Sequence, residues 1–360
     1  MSSHNPPALL PSLEEILSDP DILEIMIDGY TSVYVEKQGR LQDVPSPYHS
    51  HEQLVDELVA LAEYAGRSLT PESPLLDLRL ADGSRVHVVM PPIAVGGPAV
   101  NIRKFPNKSF MTFEELVQVG ALDENAVTFL KACVRSELNI VIAGGTGSGK
   151  TTLMNVICGQ IPRTERIIAV GAVAELKLTQ PRKVTLEGRE ANLEGKGEVT
   201  VRDLIRSAMK MRPDRILVND VLGGEVIDIL NAINSGITGT IFSVHANGVR
   251  DALSRLEIMA TAGNPSLPLL TIREQLASAL HLIVYIERLL TGDRHLMKVS
   301  SIQGMQGDSL LVEDIFEFHQ TGVANGRTQG YTNPTGRLPR FLNRLRDLNP
   351  DLSLDIFKPR

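Results

Sequence analysis

Gly144-Gly145-Thr146-Gly147-Ser148-Gly149-Lys150-Thr151 fits G-x-x-x-x-G-K-[ST] at every fixed position. The residue types dictate a chemistry. Small residues let successive backbone N–H groups curl around a phosphate, and a helix N-terminus behind them adds positive dipole. Lys150 has the reach and charge for terminal phosphates, and the Thr151 hydroxyl is a hard oxygen suited to Mg²⁺. Gly144, Thr146, Gly147, Ser148, Gly149, Lys150, Thr151 and Thr152 are therefore the candidate nucleotide-binding residues. The bland alternative is a glycine-rich strand-to-helix turn with no ligand.

The flanking sequence weighs against that alternative. The β-branched run Asn139 to Ala143 predicts a buried strand before the loop. Leu153, Val156 and Ile157 recur at helical spacing after it, and Gly159 stops that helix. A nucleotide fold also needs a carboxylate at a strand end beside the loop, to complete the metal's shell. Asp220, at the end of the apolar run Arg215 to Asn219, is the best-placed candidate and the second candidate metal ligand; a strand-end turn aspartate is the alternative. His245 ends the next strand, Gly239 to Val244, where it could sense a terminal phosphate or simply be a hydrogen-bonded histidine.

Around these residues the pattern predicts two domains. Residues 12–107 read as a small α+β domain: a short helix from Leu13, an apolar run at Ile22–Ile27, and strands at Ser32–Glu36, Leu76–Leu80, Arg85–Met90 and Ala99–Phe105. Its second helix, Gln53–Ala65, repeats Leu54, Leu58, Leu61 and Ala62 at helical spacing. Pro106 ends the last strand. Residues 108–134 read as a linker and a connecting helix, and 135–360 as an α/β domain of alternating strands and helices. In that domain Thr200 with Asp203, and Thr271 with Glu274, read as helix N-caps. Lys298–Ile302 and Leu310–Phe318 read as a terminal meander, and Leu338–Leu348 as an amphipathic helix.

Composition bounds the partners. The chain has 360 residues, 42% hydrophobic and 22% charged, with no apolar run long enough to span a membrane. The start, Met1 to Pro7, has neither the basic nor the apolar region of a signal peptide. Cys133 and Cys158 both sit in apolar helical patterns, as reduced core thiols or as a disulfide. The net charge is −7, all of it from residues 1–110. No basic, aromatic-interleaved cluster marks a nucleic-acid face, so no nucleic-acid partner is expected. Within the acidic first domain, however, Arg79, Arg85, Arg103, Lys104 and Lys108 stand against only Asp82 over residues 79–108. That cluster is either a solvated face or a set of cations for phosphates.

Several stretches resemble the CpaF/TadA-type motor ATPases of tight-adherence (Tad) pili, relatives of type II and type IV secretion ATPases. They are Ile102-Arg103-Lys104-Phe105, Arg79-Leu80 with Asp82 to Arg85, Thr200 to Arg206, Met211 to Arg215, Val244 to Asn247, Arg250 to Glu257, and Pro334-Thr335-Gly336 with Pro339 to Leu342. The resemblance covers roughly residues 13–350. It implies a RecA-like P-loop NTPase domain behind the smaller α+β domain, with ATP and Mg²⁺ held between the two. It further implies a homo-oligomer, a hexamer, at the cytoplasmic face of the inner membrane, working against a pilus platform protein there. Arg85 and Arg103 match the family's basic residues near the phosphates, and His245 its His box.

The chain departs from that pattern at its acids. The family's Ile-Glu-Asp-Ala-Ala-Glu-Leu is here Val170-Gly171-Ala172-Val173-Ala174-Glu175-Leu176, so only Glu175 remains. Gly-Glu-Val-Arg-Gly-Gly-Glu is here Asn219-Asp220-Val221-Leu222-Gly223-Gly224-Glu225. Asp220, Glu175, His245, Arg85 and Arg103 are the candidate catalytic residues. Two functions follow: a working motor that couples ATP hydrolysis to pilin assembly or secretion, and a hydrolysis-deficient ATP-binding paralogue with a structural or regulatory role. No guanine-reading Asn-Lys-x-Asp and no transporter Leu-Ser-Gly-Gly-Gln occurs.

Overall fold

The computed structural model describes residues 10–37, 40–80, 82–104, 111–189, 191 and 196–359. The expectations for the N-terminal residues 1–9, for Phe105 and Pro106, and for Lys108 lie outside them. The chain divides into two compact units, residues 1–109 and 110–360.

The first unit contains α1 (Glu14–Ser18), β1 (Ile22–Asp28), β2 (Ser32–Lys37), β3 (Arg40–Val44), α2 (His51–Tyr64), β4 (Leu75–Arg79), β5 (Arg85–Val89) and β6 (Ala99–Arg103). The six strands form one antiparallel sheet in the order β3-β2-β1-β6-β5-β4. Alternation puts Ile25, Ile27, Val33, Val35, Val86, Val88, Val100 and Ile102 in its core with Leu54, Leu58, Leu61 and Ala62 of α2. Ser50 caps α2 by accepting from the Gln53 N–H. β3 has no counterpart among the strands expected from the sequence. Its residues are almost all exposed because it is an edge strand, so it lacks the apolar alternation that marks a strand.

The second unit contains α3 (Phe113–Gln118), α4 (Glu124–Arg135), β7 (Ile140–Gly144), α5 (Lys150–Cys158), β8 (Ile167–Gly171), β9 (Lys183–Glu187), α6 (Val201–Met209), β10 (Arg215–Val221), α7 (Glu225–Asn234), β11 (Ile241–His245), α8 (Val249–Gly263) and α9 (Leu269–Ala279). β12 (Leu282–Arg288), β13 (Arg294–Gln306), β14 (Ser309–Ala324), β15 (Arg327–Pro334) and α10 (Leu342–Leu348) follow. One sheet runs β15-β14-β13-β12-β7-β11-β10-β8-β9. β12 to β9 in that order are parallel, and the β13–β15 meander is antiparallel.

A parallel sheet covered on both faces needs apolar residues on both sides of each strand. β7 supplies them. Ile140 and Ile142 face a core with α3, α4 and α5, while Val141 and Ala143 face one with α6 to α9. The thiols of Cys133 and Cys158 are free and buried, and burial pushes both upward, Cys158 to about 12. Thr200 caps α6 with a full capping box. Thr271 does not cap α9: the helix starts two residues earlier, behind Pro268, whose fixed φ of −59° and missing N–H suit a helix start. The meander strands run longer than the sequence indicated and gain β15, another edge strand. Among the described residues no helix is long and apolar enough to cross a membrane.

Candidate phosphate site at the strand ends of the second unit

Gly144 is the last residue of β7 and Lys150 the first of α5. The five residues between them make the turn. Gly149 stands at the helix cap with φ +97°, a conformation that a Cβ would strain. Lys150 Nζ crosses the loop and donates to Gly145 O at 2.8 Å. Thr146, Gly147 and Thr152 are exposed, whereas Ser148 is buried and its Oγ finds no protein partner. A buried polar atom without a partner inside a phosphate loop fits a ligand that supplies one.

Thr151, in the first turn of α5, donates its hydroxyl to Glu175 Oε2 at 3.3 Å. Glu175 sits on the irregular segment after β8, which turns sharply because Gly171 allows it. A Cβ at Gly171 would lie 2.8 Å from Val173 O. The Gly171 that removes one acid thus also makes room for the turn that brings the remaining acid to Thr151. Asn219 Nδ2 donates to the same Glu175 oxygen at 3.1 Å, and Ser243 Oγ donates to Asn219 Oδ1 at 3.2 Å.

β7 lies between β12 and β11, so β10 is not its neighbour. His245 pairs in register with Gly144 and so adjoins the base of the loop. Asp220, expected on a neighbouring strand, lies one strand further away because β11 is inserted between. Asp220 interrupts the β10–β11 ladder: the register shifts between Val218 and Val221, φ is +57°, and its side chain is exposed. Its backbone N–H donates to Ser243 Oγ at 2.8 Å.

Thr151 and Glu175 are hard oxygen donors at one point, the kind Mg²⁺ takes while keeping most of its waters. Among the described residues no group of three or more His, Cys, Asp or Glu could form an all-protein metal cage. The donor set fits a Mg²⁺ that takes its remaining ligands from phosphate and water.

Two residues that motif reading did not single out also meet the loop. Arg294 Nε donates to Gly147 O at 2.9 Å, and a Cβ on Gly147 would lie 3.5 Å from an Arg288 guanidinium nitrogen. Arg288 and Arg294 are cross-strand partners on β12 and β13. No local signal marks them, because only antiparallel pairing brings them back to the loop.

Within the first unit, Arg85 pairs with Arg79 on one side and with Arg103 on the other. The three exposed arginines form one row across β4, β5 and β6. Like charges side by side on a sheet are unfavourable without an anion or solvent between them.

A parallel sheet with an inserted strand between the loop strand and β10, and a lysine-bearing loop at its carboxyl edge, defines a RecA-like P-loop fold. The chain matches the Type II/IV secretion system protein family over residues 10–334, and it belongs to that family. It is 33% identical over 301 residues to a putative conjugal transfer protein of Mycobacterium tuberculosis, covering 82% of this chain and 85% of that one. It is 32% identical over 304 residues to the type IV secretion system protein VirB11 of Brucella suis, covering 77% and 84%. The fold is also that of the pilus retraction motor PilT, solved with bound ADP, at TM-score 0.57, 20% identity and 81% of each chain.

Proposed function

We propose that this chain is an ATP-binding motor subunit of a secretion or pilus-assembly system, of the Tad type that its motifs resemble. The observation that supports it most directly is the phosphate loop with Lys150 across it and the Thr151–Glu175 pair at its edge. The loop amides and Lys150 would hold the phosphates, and Thr151, Glu175 and Asp220 would offer oxygens to Mg²⁺, which would supply neutralisation of phosphate charge. His245 stands at the base of the loop as a donor to a terminal phosphate. Arg85 and Arg103 are the cations that the resemblance assigns to the same charge. The subunit works as a homo-oligomer, a ring of six, peripheral to the cytoplasmic face of the inner membrane, with a membrane platform protein as partner.

Release of phosphate from Mg²⁺-ATP by the purified chain, beside Lys150→Ala, tests this. ATP binding with release, both lost in the variant, is the expected result. Equal nucleotide affinity in the two proteins would remove the reading. Binding without release would select the second reading, a hydrolysis-deficient paralogue, which the missing acids at Gly171 and Ala172 favour. The proximity of Glu175 to Thr151 favours turnover.

A further inference from the structure

Asn219 is 5% exposed in β10, and both ends of its amide are committed. Nδ2 donates to Glu175 Oε2 at 3.1 Å, the oxygen that also accepts from Thr151. Oδ1 accepts from Ser243 Oγ at 3.2 Å, and that Oγ accepts from the Asp220 N–H at 2.8 Å. A flipped amide would present its NH₂ to Asn219's supporting hydroxyl and its carbonyl to a carboxylate, so the network fixes the orientation. Phosphate binding by the loop does not require any of these bonds.

We propose that Asn219 is a positioning residue of the nucleotide site, holding the Glu175 carboxylate against Thr151 where the two serve Mg²⁺. This rests on the ATP-site reading above. Glu175 is carried by an irregular segment on a side chain with several rotatable bonds, and fixing it costs rotamer entropy. Asn219 stands on a strand with parallel neighbours on both sides, β8 and β11, and is a rigid support. At the next position the left-handed φ of +57° leaves the Asp220 side chain exposed. Toward Glu175, β10 thus presents an amide donor, which can hold the carboxylate, and not a second carboxylate, which would repel it. Partners of this kind, one step behind a metal ligand, are worth on the order of 10–100-fold in metal affinity or activity.

The test is a titration of a fluorescent ATP analogue with Mg²⁺ and in EDTA, on the full chain. Asn219→Ala should weaken affinity in Mg²⁺ by about tenfold or more and lower kcat, while affinity in EDTA stays the same. Because Asn219 acts through Glu175, the same substitution should add nothing in a Glu175→Ala background. Additive losses in the double variant, an equal loss with and without Mg²⁺, or unchanged Mg²⁺ dependence would each overturn the proposal. Should Asn219→Ala fail to fold, Ser243→Ala loosens the amide from the other side. It should give a smaller loss of the same kind, which likewise vanishes without Glu175; a loss that persists there overturns the proposal. If the wild-type chain binds no nucleotide at all, the ATP-site reading falls first, and this one with it.

Discussion

At its N-terminal end, β7 is preceded by Asn139, which is buried with both ends of its side-chain amide hydrogen-bonded. Nδ2 donates to Ala279 O, Oδ1 accepts from the Thr240 N–H, and the Asn139 N–H donates to His281 Nδ1. Beside it Arg340 donates to Ala277 O and Leu280 O, and Arg344 to Glu137 O. Five residues further on, at its C-terminal end, the same strand opens into glycines, with a buried Ser148 hydroxyl left without a protein partner. The difference separates two tasks. Side chains at one end bond back to the chain itself and so hold β7, β11, β12 and the C-terminal tail in register, although the Thr240 hydroxyl there is, like that of Ser148, buried without a protein partner. The other is the end at which the proposed nucleotide would bind, beside Lys150. Affinity and stability should therefore respond to mutation at opposite ends of one strand.

The sharpest test of that separation is Lys150→Ala. Removing the partner of a buried phosphate charge costs about 4 kcal/mol, on the order of a thousandfold in nucleotide affinity. The melting temperature without nucleotide should barely change, and calorimetric titration beside a thermal melt reads both. Asn139→Ala should do the reverse. It orphans the Ala279 carbonyl and the Thr240 N–H, costing about 3 kcal/mol of stability, with nucleotide affinity per folded molecule kept. A comparable fall in affinity would show that the two ends are coupled.

His281 gives the closed end a pH signature. Burial, with Arg340 and Arg344 nearby, lowers its pKa from 6.5 to about 4. Between those values the unfolded chain binds a proton that the folded chain refuses. Stability is therefore full above pH 6.5 and falls as pH drops toward 4, by at most about 3 kcal/mol. Melting curves of His281→Gln from pH 7 to 4 should lose this contribution; curves parallel to wild type would rule it out. The smallest effect is expected at Gly171→Ala. Its Cβ would press on Val173 O, displacing the turn that carries Glu175 at a cost of about 1–2 kcal/mol. Because the loop itself is untouched, Mg²⁺-dependent nucleotide binding should weaken more than binding in EDTA.

The strand, glycine loop and helix of the candidate site were legible because they are contiguous: a buried strand, small residues and a helix start within twenty residues. Periodicity likewise determined α2 and strands such as β2, β5, β6 and β7, and the Thr200–Asp203 spacing determined the capping box of α6, since φ/ψ and side-chain direction repeat locally. Where that signal is diluted it failed. The edge strands β3 and β15 bury few side chains, and the start of α9 was decided by Pro268 and not by Thr271. Beyond the loop, candidate residues were named from the sequence but the contacts among them were not legible. Glu175 meets Thr151 across 24 positions, Asn219 meets Glu175 across 44, and Arg294 meets Gly147 across 147. Sequence named Asp220 and Glu175 as acids, but which of them reaches the loop depends on the insertion of β11, the bulge in β10 and the tight turn at Gly171. Those are consequences of strand order and packing, which no local pattern encodes.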